Sequence, residues 1–233
     1  MKKLLIILLV LMSLTSFSFL EEEKTPREQL IDDIISTAEK LYKNANGKAK
    51  KAAGKGDIYI CKNFTVHIFR ENAKNYALDG MEDVRLRIPN NLSPKKSKPN
   101  SYGIFWEEIP KEKGNAFELV DSFVYDKKLS KKENQEKALE FMKQVKKGDY
   151  FQMSANYYYG IGAHSLVFIE DYNPEKNTVK WTDSNMKGEK RNGVRYGYVQ
   201  FNAEKDISWF VDAFCHKTRG ASIYRLREDI VKK

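Results

Sequence analysis

Residues 148–185 (GDYFQMSANYYYGIGAHSLVFIEDYNPEKNTVKWTDSN) contain the pattern that decides the fold. Short runs of β-branched and aromatic residues alternate there with glycine, asparagine and proline, which is typical of strands separated by turns. The segment 173–177 (NPEKN) has the composition of a hairpin loop, so its flanking strands are predicted to pair as antiparallel neighbours. The strands predicted in this C-terminal part are 150–154, 164–169, 178–182, 194–201 and 222–226, and weaker alternation indicates two earlier ones at 102–108 and 117–125.

Helices are predicted mainly in the N-terminal half of the chain. Apolar residues at three- and four-residue spacings predict an amphipathic helix over 21–43 and a second one from Cys61 to about residue 76. A third helix opens at Ser130, where Glu133 is placed to complete a capping box. Helices followed by a run of consecutive strands indicate an α+β fold, with N-terminal helices packed on an antiparallel β-sheet.

The first residues have the order of a secretory signal peptide. Lys2 and Lys3 precede an apolar run over 4–14, and Ser16 and Ser18 follow it as small residues. The run is too short for a permanent transmembrane helix, although a retained N-terminal anchor is the alternative interpretation. We therefore expect an exported protein that is secreted or held in the periplasm or cell envelope, with no permanent membrane span after cleavage.

Composition changes divide the chain into three parts. A signal peptide is predicted at 1–18, a helical prefix with a flexible joint at 19–56, and one folded domain at 57–233. The joint is inferred from the small, basic and glycine-bearing segment 44–56. The remainder is long enough for one α/β-sized domain with a sizeable core.

The net charge of +9 favours anionic partners such as envelope polymers. The basic residues are scattered outside 48–55 and 95–98, so a solvated lysine-rich surface is the preferred interpretation and no nucleic-acid partner is predicted. The sequence contains no nucleotide-binding glycine loop and no zinc-ligand spacing, so neither a cofactor nor a metal is predicted. It gives no indication of the oligomeric state.

Cys61 and His164 are the candidate nucleophile and base. Cys61 follows the extended-looking segment 57–60 and stands at a predicted helix start, where free backbone N–H groups and the helix dipole favour a thiolate. Of the three histidines, His164 is the best placed, because it follows a glycine-bearing loop and opens an apolar strand. A histidine in that position is able to pair with the thiolate and to protonate a leaving group.

A third polar group is needed to orient the imidazole ring. The predicted hairpin returns its second strand toward His164, with Val167 or Ile169 opposite 178–179. Asp183 and Asn185 follow that strand and have the same parity, so either side chain is able to face the histidine. Asp183 is the preferred third residue and Asn185 the alternative.

Two short motifs carry a family resemblance. Residues 61–64 (CKNF) are similar to the Cys-x-Asn-Phe start of bacterial amidase-like domains, and 164–167 (HSLV) to their His-x-x-Val strand. With the Gly-Asp pair at 148–149, the chain over 57–227 resembles the papain-like cysteine hydrolase superfamily, which includes the NlpC-type and CHAP-type cell-wall hydrolases. This resemblance implies a papain-like fold and a cysteine peptidase or amidase that cleaves amide bonds in peptidoglycan.

The chain departs from that family around the cysteine. It lacks the Asp-Cys-Ser-Gly-Phe signature and the glutamine that papain-like enzymes often place shortly before the nucleophile to stabilise the oxyanion. The backbone N–H of Cys61 is one oxyanion donor, and Tyr59 is the candidate for the second. Tyr159, Trp181 and Trp209 are candidates to line the substrate.

Two other hypotheses stay open. A disulfide between Cys61 and Cys215 would remove the chemistry and leave a non-catalytic envelope-binding module on the same fold. An enzyme of the same superfamily could instead be a transferase that passes the acyl or peptidyl group to an amine or lipid, because the acceptor enters only at the second step.

Overall fold

The computed structural model describes most of the chain beyond its N-terminus. The predicted signal peptide at 1–18 and the candidate residue Tyr159 lie outside the described residues. The described residues are 23–48, 50–52, 58–88, 113–154, 162–185, 190–191, 194–216 and 219–233.

Four α-helices are present in the described part of the chain. They are α1 (Pro26–Ala45), α2 (Cys61–Asn72), α3 (Lys131–Lys143) and α4 (Ile207–His216), and a short 3-10 helix (Ala73–Asn75) follows α2. The predicted capping box of α3 is confirmed, since Ser130 and Glu133 bond each other's backbone N–H groups. Helix α4 was not predicted from the sequence.

The strands form one large antiparallel sheet and a two-stranded one. The bounds are β1 (Lys50–Ala52), β2 (Tyr76–Leu78), β3 (Phe117–Phe123), β4 (Tyr150–Met153), β5 (His164–Phe168), β6 (Thr178–Asn185), β7 (Lys190–Arg191), β8 (Val194–Asp206), β9 (Ala221–Leu226) and β10 (Ile230–Lys232). The large sheet has the order β1-β8-β6-β5-β4-β9-β3, with β7 also paired to β8, while β10 pairs with β2. The predicted α+β class and the antiparallel sheet are therefore confirmed.

Three local predictions are corrected. Residues Lys50–Ala52, assigned to a flexible joint, pair with β8, because β8 is long enough to offer them an edge. The second helix ends at Asn72 instead of near 76, and Tyr76 begins β2. The hairpin register also differs by three to four residues at Val167, which pairs with Thr182 and not with 178 or 179.

The sheet separates two hydrophobic clusters. The first face packs on α1 and α2, and its strands contribute Tyr150, Val167 and Val199. The second face packs on α3 and α4, and its strands contribute Phe151, Leu166 and Phe168 among others. Successive residues of β4 and β5 thus point to opposite faces, as the two-residue period of a strand requires.

Helix α1 belongs to the same core as α2. Leu30 is 0% exposed and Ile34 1% exposed, and both pack in the first-face cluster with Phe64 and Ile68 of α2. Full burial of one such side chain stabilises the folded state by about 1.5–3 kcal/mol. The helical prefix is therefore part of the packed core and not a separate appendage.

The turn before β4 is held by a buried ion pair. Gly148 has a φ of +85°, and a Cβ there would lie 2.7 Å from Ile31 Cγ1, so only glycine fits. The carboxylate of the next residue, Asp149, is fully buried and accepts from Arg225 Nε at 2.8 Å and Nη2 at 2.7 Å. This bidentate contact joins the start of β4 to β9.

We expect Asp149→Ala to destabilise the fold by roughly 3–5 kcal/mol, because it leaves the Arg225 guanidinium largely buried without its partner. Glu136→Ala is the matched control, since the Lys132–Glu136 pair is exposed and its loss costs about 1 kcal/mol or less. Urea denaturation followed by circular dichroism measures both. Equal effects of the two variants would contradict the structural role of Asp149.

Candidate active site

Cys61 is the first residue of α2. Ile60 before it is extended, with φ −105° and ψ 135°, and no side chain caps the helix start. The first turn of α2 contains no acidic residue. The thiol therefore lies at the positive end of a helix dipole, an environment that favours its ionised form.

The segment before Cys61 is fixed against the sheet. The backbone carbonyl of Tyr59 accepts a hydrogen bond of 2.8 Å from Ser184 Oγ of β6. The same carbonyl packs on Gly197 of β8 so closely that a Cβ there would lie 1.9 Å from its oxygen. The position of the thiol thus depends on a hydroxyl at one strand and on the lack of a side chain at the next.

His164 is placed by the start of β5 and by a buried polar pair. Gln152 of β4 donates to the His164 carbonyl at 3.1 Å and accepts from Ser165 Oγ. Cys61 Sγ lies 3.9 Å from the carbonyl oxygen of Ala163, the residue before His164. The thiol therefore lies next to the first residue of β5, which is His164.

Asp183 orients the imidazole ring. Its Oδ2 lies 2.9 Å from His164 Nε2, and the residue is 2% exposed. Trp181 Nε1 donates to the same oxygen at 2.9 Å, and Gln200 Nε2 donates to Oδ1 at 3.2 Å. A side-chain hydrogen bond joins Cys61 and His164. Because Nε2 is engaged by Asp183, Nδ1 is the ring nitrogen available to the thiol.

Electrostatics favour a thiolate–imidazolium pair. Burial raises the pKa of Cys61, but the hydrogen bond and charge of His164 outweigh burial and hold the pKa below that of an ordinary thiol. Burial likewise lowers the pKa of His164, while the contacts with Asp183 and Cys61 outweigh it and raise the pKa to about 9. A lowered thiol pKa beside a raised imidazole pKa favours the form in which the sulfur is negative and the ring is positive, which is the reactive form of a catalytic thiol.

The structure brings together Cys61, His164 and Asp183. Asn185, the alternative third residue, lies two positions further along β6 and pairs in register with Tyr198 of β8. Cys215 is not joined to Cys61, because both cysteines are free. Cys215 is buried in the second-face cluster, and burial raises its pKa.

The other predicted site residues that the structure describes are Tyr59, Trp181 and Trp209, and they differ in burial and in contacts. The ring of Tyr59 is partly buried and packs against the first-face cluster, so its role as an oxyanion donor stays a prediction. Trp181 is buried at 7% exposure and supports Asp183, whereas Trp209 is 47% exposed. The two indole rings stack with their centroids 6.5 Å apart. The exposed Trp209 is thereby in contact with Trp181, whose indole N–H bonds to Asp183.

Sequence reasoning missed the side chains that position the site. Gln152 and Gln200 bond to His164 and Asp183, partners distant in sequence that no short motif marks. Arg219 is also buried, and it donates to the carbonyls of Ser154 and Gly162 at 3.0 Å each. In the sequence it is marked only by the glycine that follows it, Gly220, and burial lowers its pKa to about 10.

Within the described residues, no group of three histidine, cysteine or acidic side chains is arranged to hold a metal ion. Among the helices that the structure describes, none has the length and apolar character needed to cross a membrane. Comparison of the chain with protein-family models, curated proteins and solved structures gives no match.

We expect the alkylation of Cys61 by iodoacetamide to persist at a pH below that needed for an ordinary thiol. In His164→Ala the midpoint of the rate–pH curve should move upward, because the group that lowers the pKa of Cys61 is gone while burial remains. Both measurements are made in a Cys215→Ala background, so that only one thiol reacts. An identical midpoint with and without His164 would contradict the pair.

The pKa of His164 distinguishes the two candidate third residues. Asp183→Asn should lower it from about 9, because the raising carboxylate charge is replaced by a neutral amide of the same shape. Asn185→Ala is the matched control and should leave it unchanged. NMR titration of the imidazole measures both, and a fall with Asn185→Ala alone would assign the orienting role to Asn185.

Proposed function

We propose that the chain is a cysteine hydrolase that cleaves amide or peptide bonds. The observation that carries this proposal is the single hydrogen-bonded series of a thiol at a helix start, an imidazole at a strand start and a buried carboxylate. Nucleophile, base and orienting group in that order form the general arrangement of covalent acyl-transfer catalysis. A purely structural series of this kind would not require a thiol with a lowered pKa.

The residues have distinct parts in the proposed reaction. The thiolate of Cys61 attacks the carbonyl carbon, and the carbonyl electron pair moves to oxygen to give a tetrahedral intermediate. Collapse of that intermediate breaks the C–N bond, while Nδ1–H of His164 transfers its proton to the leaving amine. Water then attacks the thioester with neutral His164 as its base, releasing the acid and regenerating the thiol.

Asp183 keeps this proton transfer aligned. With Nε2 hydrogen-bonded to the carboxylate, the neutral ring carries its proton on Nε2 and presents an unprotonated Nδ1 to the incoming water. The donors on Asp183 from Trp181 and Gln200 compensate for burial of its charge. The backbone N–H of Cys61 and the candidate donor Tyr59 are the proposed oxyanion contacts.

Peptidoglycan is the proposed substrate, and the cell envelope or exterior is the proposed location. The sequence order of a signal peptide and the resemblance to papain-like cell-wall hydrolases support both statements. The proposed fold family is accordingly papain-like, with α2 carrying the nucleophile against the antiparallel sheet. The exposed Trp209, which stacks on Trp181, is the proposed aromatic substrate contact, because indole faces stack well on organic ligands.

The mature chain, residues 19–233, should release new amino groups and soluble fragments from purified sacculi. We expect Cys61→Ala and His164→Ala each to lower the rate by roughly 10³-fold or more, with little further loss in the double variant. Cys215→Ala is the matched control and should retain activity. The rate should rise as Cys61 ionises and fall as His164 loses its proton near pH 9.

Three outcomes would overturn this proposal in different ways. Full activity in Cys61→Ala would refute the mechanism. Binding to sacculi without cleavage, together with slow alkylation of Cys61, would favour the non-catalytic module. Products joined to an added amine, with little free acid, would assign the chain to the acyl transferases.

A further inference from the structure

A second concave site lies at the other end of α2 from Cys61. Arg70, in the last turn of α2, stands nine residues beyond Cys61, which is about 13 Å along a helix axis. It lines a cavity of about 440 Å³ together with Arg85, Leu86, Arg87 and Ile88. Among the described residues, this cavity shares no lining residue with the Cys61 site.

In the segment 85–88, which carries two of these arginines, exposed and buried residues alternate strictly. Leu86 is 3% exposed and Ile88 4% exposed, and both belong to the first-face cluster. Arg85 and Arg87 lie between them and are exposed. The apolar residues anchor the segment in the core, so the two guanidinium groups are directed outward from a fixed backbone.

The backbone of this segment is held on its other side as well. Arg87 donates from its N–H to the Gly114 carbonyl at 2.8 Å and accepts from Ala116 N–H at 3.1 Å. Gly114 has a φ of +82°, and a Cβ there would lie 2.6 Å from the carbonyl oxygen of Arg85. The approach is possible only for glycine, and it keeps the two arginines beside Arg70.

The described part of the chain supplies no counter-charge to the three arginines. In the part of the chain that the structure describes, none of their guanidinium groups has a carboxylate partner, and the cavity lining contains no acidic residue. The helix dipole accounts for a basic residue at the position of Arg70, but not for Arg85 or Arg87. Three mutually repelling cations around one cavity raise the free energy of the empty site, and an anion relieves this repulsion.

We propose that this cavity binds the phosphate group of an organic ligand. One bidentate arginine saturates a carboxylate, whereas a phosphate offers three or more oxygen atoms to several guanidinium forks. The cavity volume is in the range of small-molecule sites and exceeds the needs of a bare phosphate, so it has room for an organic group attached to the phosphate. A free phosphate ester and one repeat of a phosphate polymer share this chemistry.

Isothermal titration with glycerol 3-phosphate and with linear polyphosphate tests the site at fixed ionic strength. We expect saturable binding of at least one probe, and the tighter probe identifies the ester or the polymer as the source. The triple variant Arg70→Gln, Arg85→Gln, Arg87→Gln should lose affinity by about tenfold or more. The matched triple variant Lys127→Gln, Lys128→Gln, Lys176→Gln changes the net charge equally and should stay within about twofold.

Further variants keep the test decisive. Arg85→Lys and Arg87→Lys retain the charge but lose the planar fork, so each should weaken phosphate binding by about threefold or more with an unchanged thermal midpoint. Equal losses in the arginine and lysine triple variants would overturn the site in favour of diffuse charge. Absence of saturable binding, or equally tight binding of poly-glutamate, would overturn the phosphate assignment. The rate of Cys61 alkylation should be unaffected throughout, which separates this result from the proposed hydrolysis.

Discussion

A carboxylate buried in a protein interior is unstable unless its charge is compensated, and Asp183 is buried at 2% exposure. The compensation comes from the indole of Trp181, the amide of Gln200 and the imidazole of His164. Two of these donors are neutral and fixed, so the third, His164, is the one whose protonation responds. The contacts with Asp183 and Cys61 raise the pKa of His164, and the contact with His164 in turn lowers the pKa of Cys61.

The geometry of the sheet explains how the thiol reaches that charge. Helix α2 packs on the first face, whereas His164 lies opposite Met153 in the register of β4 and β5, and Met153 belongs to the second-face cluster. Asp183 follows the same alternation as Val179 and Trp181, which are also on the second face. The Cys61 thiol, carried by a helix on the first face, meets His164 of the second face at the start of β5. The N-terminus of α2 lies at the same position.

The sequence predicted the elements whose signal is local. The capping residues of α3, the hairpin around 173–177 and the chain order of Cys61, His164 and Asp183 were all accessible from short patterns. The predicted hairpin register was wrong because the composition of the loop does not fix where strand pairing starts. The chain turns from β5 to β6 over 169–177, and β6 continues to Asn185. Gln152, Gln200 and Arg219 were missed because their partners are backbone or side-chain atoms far away in sequence. The arginine cavity was missed for the same reason, since the charges of Arg70 and Arg87 appear scattered until α2 and 84–88 are folded together.

The contact between Gly197 and the Tyr59 carbonyl has a consequence for the recognition of distant relatives. A strand interior normally disfavours glycine, so this residue is unexpected in β8 unless another backbone passes over it. A chain that keeps the thiol at this helix start needs a residue without a side chain at the same position of β8, even where the surrounding residues have diverged. The ordered set of cysteine, histidine, aspartate and then a strand glycine is therefore a more selective fingerprint for database searching than the first three residues alone.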